Sequence, residues 1–457
     1  MDDLESALRR GIDLREAGRL DEALAAFDAV LARAPAAARA RALRGLTLCN
    51  LERFAEGVAE LRAAVAQEPR NGTFHGELGM VLFVLDELDE SESELRRALA
   101  LAPGDPHALA NLSLVARARG DFAGAEAAAR QALARRPDLY AARINLAYAL
   151  LAQGRFAEAW PHHDRRPDSR MNLRDPHTAG IVPHVDRLPP SSSPIVLHGE
   201  QGLGDALFFL RFAPQLRARG HRLAFWGDAR LRPILERTGL FEHFLAPGAV
   251  PAEGLAVLWI GDLARLLGAD DASRFPGALR IEGDPARREA LRRYLGRLGP
   301  APYVGLTWRA GLARRGRIAL AKHLAPGSLG AAMRGARATF LSLQREPAPG
   351  ELATVAEAIG APVHDGASLN ANLEDALAAA EILDDYVAVS NTNVHLRAAA
   401  GRGARVLVPW PPEWRWTAVE GESPWFAGMP TYRQAADGDW NAALTRLRRD
   451  LLDSLPG

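Results

Sequence analysis

The chain has 457 residues, too many for one ordinary hydrophobic core, so two to four domains are expected. Lys plus Arg and Asp plus Glu number 56 each, a balance that excludes a nucleic-acid binder acting through bulk charge. The one cysteine, Cys49, excludes an internal disulfide and fits a reducing cytoplasm. There is no apolar run long enough to span a membrane, and the acidic start MDDLESALRR lacks the apolar stretch of a signal peptide.

In chain order, the first elements repeat. Pro35, Pro69, Pro103 and Pro137 are evenly spaced, and Leu20, Phe54, Leu88, Phe122 and Phe156 follow the same interval. Gly18, Gly120 and Gly154 share a phase with Glu52 and Asp86, the place of a helix–helix turn where φ > 0 is needed. Gly11, Gly45, Gly79, Ser113 and Ala147 form a row of small residues that lets paired helices approach. Each Pro stops a second helix, because it has no N–H and restricts the residue before it. The interval matches the length of one tetratricopeptide unit, about 34 residues. The spacing predicts four full repeats at about 4–37, 38–71, 72–105 and 106–139 and a fifth, partial one from Tyr140, so that residues 1–160 form an all-α superhelix. Met171 stands where the next Pro is due.

Residues 161–194 are rich in Pro, Ser, His and Arg and read as a linker. Its His162, His163, His177 and His184 have no helical ligand spacing and read as exposed linker histidines.

The pattern then turns α/β. IVLHGE (195–200), HRLAFWG (221–227) and LAVLWIG (255–261) read as strands with helices between, up to a polar helix at 285–300. A second alternation follows, with strands at 303–308, 338–343, 362–365, 386–390 and 405–410 and a closing helix at 440–455. Two parallel-sheet domains are predicted, 195–300 and 301–439, with a cleft at the carboxyl ends of their strands.

Four segments carry candidate chemistry. In Gly199-Glu200-Gln201-Gly202-Leu203-Gly204-Asp205 a strand meets a helix through a glycine turn, which presents free amides to an anion. The turn lacks the third glycine of a dinucleotide fingerprint and the Lys-Ser/Thr of a Walker loop. Asp205 at its mouth is a candidate base for an acceptor hydroxyl. Thr307, Trp308 and Arg309 end a strand before a loop with Arg314, Arg315, Arg317, Lys322 and His323, a basic loop suited to phosphate oxygens. Ser390, Asn391, Thr392 and Asn393 cap a helix that carries His395 one turn in. Trp414, Trp416 and Trp425 either seal a domain edge or line a sugar or base pocket.

GEQGLGDALFFLRF, FLSLQRE (340–346), VSNTNVHLRAAAG (389–401), PPEWRW and SPWFAGMPTYRQ resemble segments of bacterial proteins that join tetratricopeptide repeats to a GT-B glycosyltransferase-like domain. That domain is similar to the heptosyltransferase family, and the whole plan is similar to O-linked N-acetylglucosamine transferases and flagellin glycosyltransferases. The resemblance implies a GT-B fold of two Rossmann-like domains. It implies Asp205 as the base, Lys322 and Arg317 at the donor diphosphate, and Ser342 and Gln344 near the nucleotide. It places Thr392, Asn393 and His395 at the donor, with Gly202, Gly204, Thr307, Arg309, Ser390 and Asn391 around it. Ser390 and Asn391 stand where related sequences often carry an acidic residue, a departure that puts the donor, or activity itself, in question.

Asn111 and Asn145, one repeat interval apart, resemble the peptide-binding asparagines of the O-linked N-acetylglucosamine transferases. The expectation is thus a cytoplasmic, inverting, metal-independent transferase that moves sugar from a nucleotide donor to a protein acceptor held by the repeats. No other cofactor is expected, and neither a nucleic-acid nor a membrane-span partner. The alternatives are transfer to a lipid-linked saccharide, or a repeat scaffold whose transferase-like domain is no longer catalytic.

Overall fold

The computed structural model describes residues 2–163, 185–191, 193–199, 202–246, 249, 251, 255–310, 322–419 and 421–455. Arg317, with Arg314, Arg315, Glu200, Gln201, Met171, His177 and His184, lies outside them. The described chain divides into two compact units, one running to Ala149 and the other from Leu150 onward.

The first unit consists of paired helices: α1 (Asp2–Glu16) with α2 (Leu20–Arg33), α3 (Ala38–Asn50) with α4 (Phe54–Gln67), α5 (Gly72–Val84) with α6 (Leu88–Leu101), α7 (Pro106–Ala118) with α8 (Phe122–Arg135), and most of α9 (Tyr140–Ala152). Every helix pair falls where the proline interval puts it. The prolines act through their neighbours: Ala34, Glu68, Ala102 and Arg136, each just before a Pro, leave the helix with φ between −129° and −141° and ψ between 72° and 89°. Phe27, Leu61, Leu95 and Ala129 occupy one phase of the repeat and are all fully buried.

At the turns Gly18, Gly120 and Gly154 have φ of 76°, 80° and 74°, while Glu52 and Asp86 hold the same left-handed geometry at 63° and 67°. A side chain there costs about 1 kcal/mol. Glu52→Gly and Asp86→Gly are therefore expected to raise stability by about 1 kcal/mol each, read as a higher Tm of the repeat unit. A lower Tm in both would contradict this reading of the turn.

The second unit begins at the end of α9 and includes α10 (Phe156–His163). This corrects the linker reading at its start, since the helix runs through Pro161 and His163 is 1% exposed rather than free in a linker. His163 lies one repeat interval after Ala129 and is buried in the same phase. Its packing, with that of Trp160, outweighs the lost helix hydrogen bond at Pro161.

Two parallel sheets follow. The first holds β1 (Ile195–His198), β2 (Leu223–Trp226), β3 (Phe241–Leu245) and β4 (Ala256–Trp259) in the order β3-β2-β1-β4. The second holds β5 (Tyr303–Thr307), β6 (Thr339–Ser342), β7 (Val363–Asp365), β8 (Asp385–Val389), β9 (Arg405–Val408) and β10 (Thr431–Arg433) in the order β10-β9-β8-β5-β6-β7. Counted from their own first strands, these are 3-2-1-4 and 3-2-1-4-5-6, the doubly wound order. The strand order therefore reverses between β1 and β4 in one sheet and between β5 and β8 in the other. Helices Pro326–Met333, Glu351–Ile359 and Asn441–Ser454 bury Met333, Val355 and Leu447 on the second sheet's core beside Val304, Phe340 and Val387.

β3 and β10 are additions to the sequence expectation. Both are edge strands; β3 exposes Glu242 and His243 side by side, which destroys the alternation that marks a strand, and β10 is very short. Among the described residues no helix is long and apolar enough to cross a membrane.

Candidate functional site

Both switch points open onto one cleft of about 510 Å³. From the first sheet, the turn after β1 leads through Gly202 into helix Leu203–Phe209, and Gly202, Leu203, Gly204 and Asp205 line the cleft. From the second, Thr307 and Arg309 arrive at the end of β5, and Ser390 through Asn393 at the end of β8. Site residues proposed from sequence thus come together from segments far apart in the chain.

The polypeptide is fitted closely here. A Cβ on Gly204 would lie 3.0 Å from His395 Cδ2, so glycine is what admits the His395 ring against the first sheet's helix. The cap of helix Thr392–Ala399 is Asn391, whose Oδ1 accepts from the Val394 N–H at 3.2 Å; Thr392 and Asn393 are the first helical residues. Asn391 Nδ2 donates to the Tyr386 hydroxyl at 3.1 Å, and that hydroxyl is 2.8 Å from Thr307 Oγ1. Burial raises the Tyr386 phenol above its ordinary value, so it stays a protonated strut between the two switch-point strands. Asn393 Nδ2 donates to Asn370 Oδ1 at 2.9 Å, and Asn370 to the Leu343 carbonyl at 2.9 Å.

Ser342 and Gln344 do not reach the cleft. Both are buried, and Gln344 Oε1 accepts from the Trp308 and Arg309 N–H groups at 3.2 and 2.9 Å. They brace the backbone that carries Arg309.

The charge is concentrated. Five cationic residues line the cleft (Arg230, Arg309, Lys322, Arg345 and Arg415) against two carboxylates, Asp205 and Glu413. Some of that charge is balanced nearby, since Arg230 pairs with Asp228 and Arg309 Nη1 with Glu351 at 2.7 Å. The chain's zero net charge conceals this local excess. Three helix N-termini, at Leu203, Leu373 and Thr392, add their partial positive charge.

The sequence motifs assign no role to Glu413 and Arg415, whose segment PPEWRW stands out by its tryptophans. Lys322 Nζ donates to Glu413 Oε2 at 2.5 Å, the Ser390 hydroxyl donates to the same oxygen at 3.3 Å, and Arg415 joins Glu413 to Asp205. A carboxylate therefore stands beside Ser390 after all, supplied from a distant loop. The available signal was the Glu-Trp-Arg-Trp alternation, since charges embedded among tryptophans need buried partners. Trp414, Trp416 and Trp425 are buried with Phe208, Phe275 and Phe426 and do not line the cleft, so the domain-sealing reading of these residues holds.

His395 is 7% exposed, and its Nδ1 has no hydrogen-bond partner among the described residues. Burial, then Arg415, hold its imidazole well below the ordinary histidine range, so it is neutral at pH 7. At Glu413, burial pushes the carboxyl up, but Lys322 and Arg415 reverse this and hold it well below the usual carboxylate range. The unfolded chain binds a proton at this residue below about pH 4.3 and the folded chain does not, so stability rises with pH in that window. Glu413's contribution is complete above the unfolded value and is lost as pH falls toward the depressed folded one. Glu413→Gln is expected to flatten the acid limb of Tm between about pH 6 and pH 3, and an unchanged limb would count against the charge assignment.

In the first unit, Asn145 is 5% exposed and its Nδ2 donates to the Ala110 carbonyl of the preceding repeat at 3.0 Å, so this amide ties repeats together. Asn111, in the same phase, is partly exposed.

The family model described as tetratricopeptide repeat matches residues 8–56, 45–106 and 111–161. Protein FlbA of Caulobacter vibrioides is 27% identical over 282 residues, covering 57% of this chain and 46% of its own length. The chain thus spans about half the length of that curated relative. Among solved structures, a thermophilic TPR protein of Thermus thermophilus is 26% identical, covers 36% of this chain and 90% of its own, and has a TM-score of 0.33. The Pseudomonas aeruginosa pilF structure is 19% identical, covers 36% and 74%, and has a TM-score of 0.34.

Proposed function

We propose that the protein is a nucleotide-sugar-dependent glycosyltransferase of GT-B type, inverting at the sugar, whose repeats hold a polypeptide acceptor. In this reading helices α1 to α9 form the repeat surface, α10 (Phe156–His163) packs with the α/β unit, and two Rossmann-like domains at 195–300 and 301–439 follow, closed by the last helix. The observation that carries the proposal is the cleft at paired switch points, rich in cations and helix N-termini and holding one partly exposed carboxylate, Asp205. A nucleotide phosphate fits Lys322, Arg345 and the Thr392 helix start, where the backbone N–H groups and the dipole favour an anion.

The chemistry is a displacement. The acceptor oxygen bonds to the anomeric carbon, the bond from that carbon to the phosphate oxygen breaks with its electron pair leaving on the phosphate, and Asp205 takes the hydroxyl proton. Charge developing on the departing phosphate is stabilised by the cations already in place. Neutral His395 offers a hydrogen bond at the same place without adding charge. On the acceptor side, tetratricopeptide units bind polypeptides along stacked helices, and Asn111 is the side-chain amide placed for that role.

The test is turnover. Incubating the full chain with UDP-, GDP-, ADP- and CMP-sugars should release free nucleotide with one of them, slowly to water and faster with an acceptor polypeptide. Release with none of the four, in the presence of polypeptide or lipid-linked acceptors, would leave the scaffold reading in its place.

A further inference from the structure

We propose that Arg415 is a positioning residue for Asp205, a role that rests on the transferase reading above. Arg415 belongs to the loop after β9, at the end of the second sheet, yet its guanidinium acts on the first sheet's helix. One nitrogen, Nη2, donates to Asp205 Oδ1 and the other, Nη1, to Glu413 Oε1. Its carbon Cζ lies 4.8 Å from the centre of the Phe208 ring and 4.5 Å from that of Trp414. Phe208 follows Asp205 by three positions on helix Leu203–Phe209, so the two share a face. The guanidinium thus engages that face twice, by charge at Asp205 and by stacking at Phe208.

The consequence is orientational. Arg415 is 7% exposed at its side chain and cannot swing freely, whereas Asp205 is 28% exposed and on its own would sample several rotamers. With Oδ1 held, Oδ2 is the oxygen left for a substrate; it meets the Gly202 N–H only at 3.4 Å, a weak bond. Oδ2 is therefore the atom that receives the hydroxyl proton as the new carbon–oxygen bond forms and the phosphate departs with its electron pair.

Glu413 makes the arrangement sustainable. It shares Arg415 with Asp205 and is itself bonded by Lys322, so the row Asp205–Arg415–Glu413–Lys322 alternates in sign and sums to zero. Lysine in place of Arg415 keeps the charge but loses the planar fork that reaches two carboxylates while stacking between two rings.

The experiment compares wild type, Arg415→Lys and Arg415→Ala in the full chain. The substrate is whichever of the UDP-, GDP-, ADP- or CMP-sugars raises the wild-type Tm most, with release of free nucleotide to water as the readout. Both variants are expected to lose roughly 100-fold in kcat, the scale of a base displaced by about an ångström, with KM close to wild type. Millimolar guanidinium ion should restore part of the Arg415→Ala rate and none of the Asp205→Asn rate, a response that a merely structural role would not give. If Arg415→Ala shows no cooperative melt, Arg415→Lys alone decides. Wild-type kcat in Arg415→Lys, a rise in KM with kcat intact, or no rescue of a folded Arg415→Ala would each overturn the proposal. A wild-type enzyme that binds no sugar nucleotide and turns none over overturns the transferase reading first, and this inference with it.

Discussion

Asp205→Asn is expected to reduce turnover of the nucleotide sugar by roughly 10²- to 10⁴-fold, the usual range for a lost general base. The substitution is informative because it preserves so much. The amide oxygen still accepts from Arg415, so the contact between the first sheet's helix and the loop at Glu413 survives, while the oxygen proposed to take the proton becomes an NH₂ group that cannot. Donor binding should therefore persist, seen as a Tm rise on adding donor that matches wild type. Steady-state kinetics separates the two effects: kcat falls and KM holds. Turnover equal to wild type would remove Asp205 from the chemistry and with it the role assigned to Arg415.

The second large effect is structural. Trp160 is fully buried, its indole N–H donates to the Ala269 carbonyl at 2.7 Å, and its ring meets Trp414 and Trp425 edge-on at 6.1 and 6.0 Å. Trp160→Ala removes a large buried ring and leaves the Ala269 carbonyl without that donor, a loss of about 3–5 kcal/mol. Urea denaturation of the second unit should show it as a lower midpoint at unchanged slope. A change within about 0.5 kcal/mol, the range of surface substitutions, would contradict this account of α10. The same packing predicts that a fragment starting at Ile195 folds poorly, because it leaves behind Phe156, Trp160 and His163, which pack on Phe275, Trp414 and Phe209. The last helix in phase with the repeats is thus part of the α/β unit's core.

The repeats were legible because their information is local and redundant. Turn, small-residue row and pre-proline exit recur in register along the first third of the chain, and each has a backbone cause. His163 shows the limit of that reading. It sits in the buried phase of Phe27, Leu61, Leu95 and Ala129, but a polar residue two positions after Pro161 conceals the match. Most of the other described strands carry an apolar run, while the edge strands β3 and β10 do not, because an edge strand need not bury both faces.

At the site, residues at the strand ends were easy to find: Thr307, Arg309 and Ser390 through Asn393 lie at or just beyond a strand end, Asp205 lies in the first turn of the helix that follows β1, and such positions face the cleft by topology. Lys322 and His395 came from the same segments. Glu413 and Arg415 follow no such rule. They owe their place to long-range packing of an irregular loop on Phe208, which no local pattern encodes. Ser342 and Gln344 show the converse, since a strand end also needs residues that hold the neighbouring strand's loop.

Central to the account is that the cleft between the two sheets binds a sugar nucleotide. The most direct test is the Tm of the full chain with UDP-, GDP-, ADP- and CMP-sugars, each at rising concentration. One of them should stabilise the second unit by about 2.7 kcal/mol at roughly a hundredfold excess over its Kd, and Lys322→Ala should weaken that response. An unchanged Tm with all four would contradict the claim.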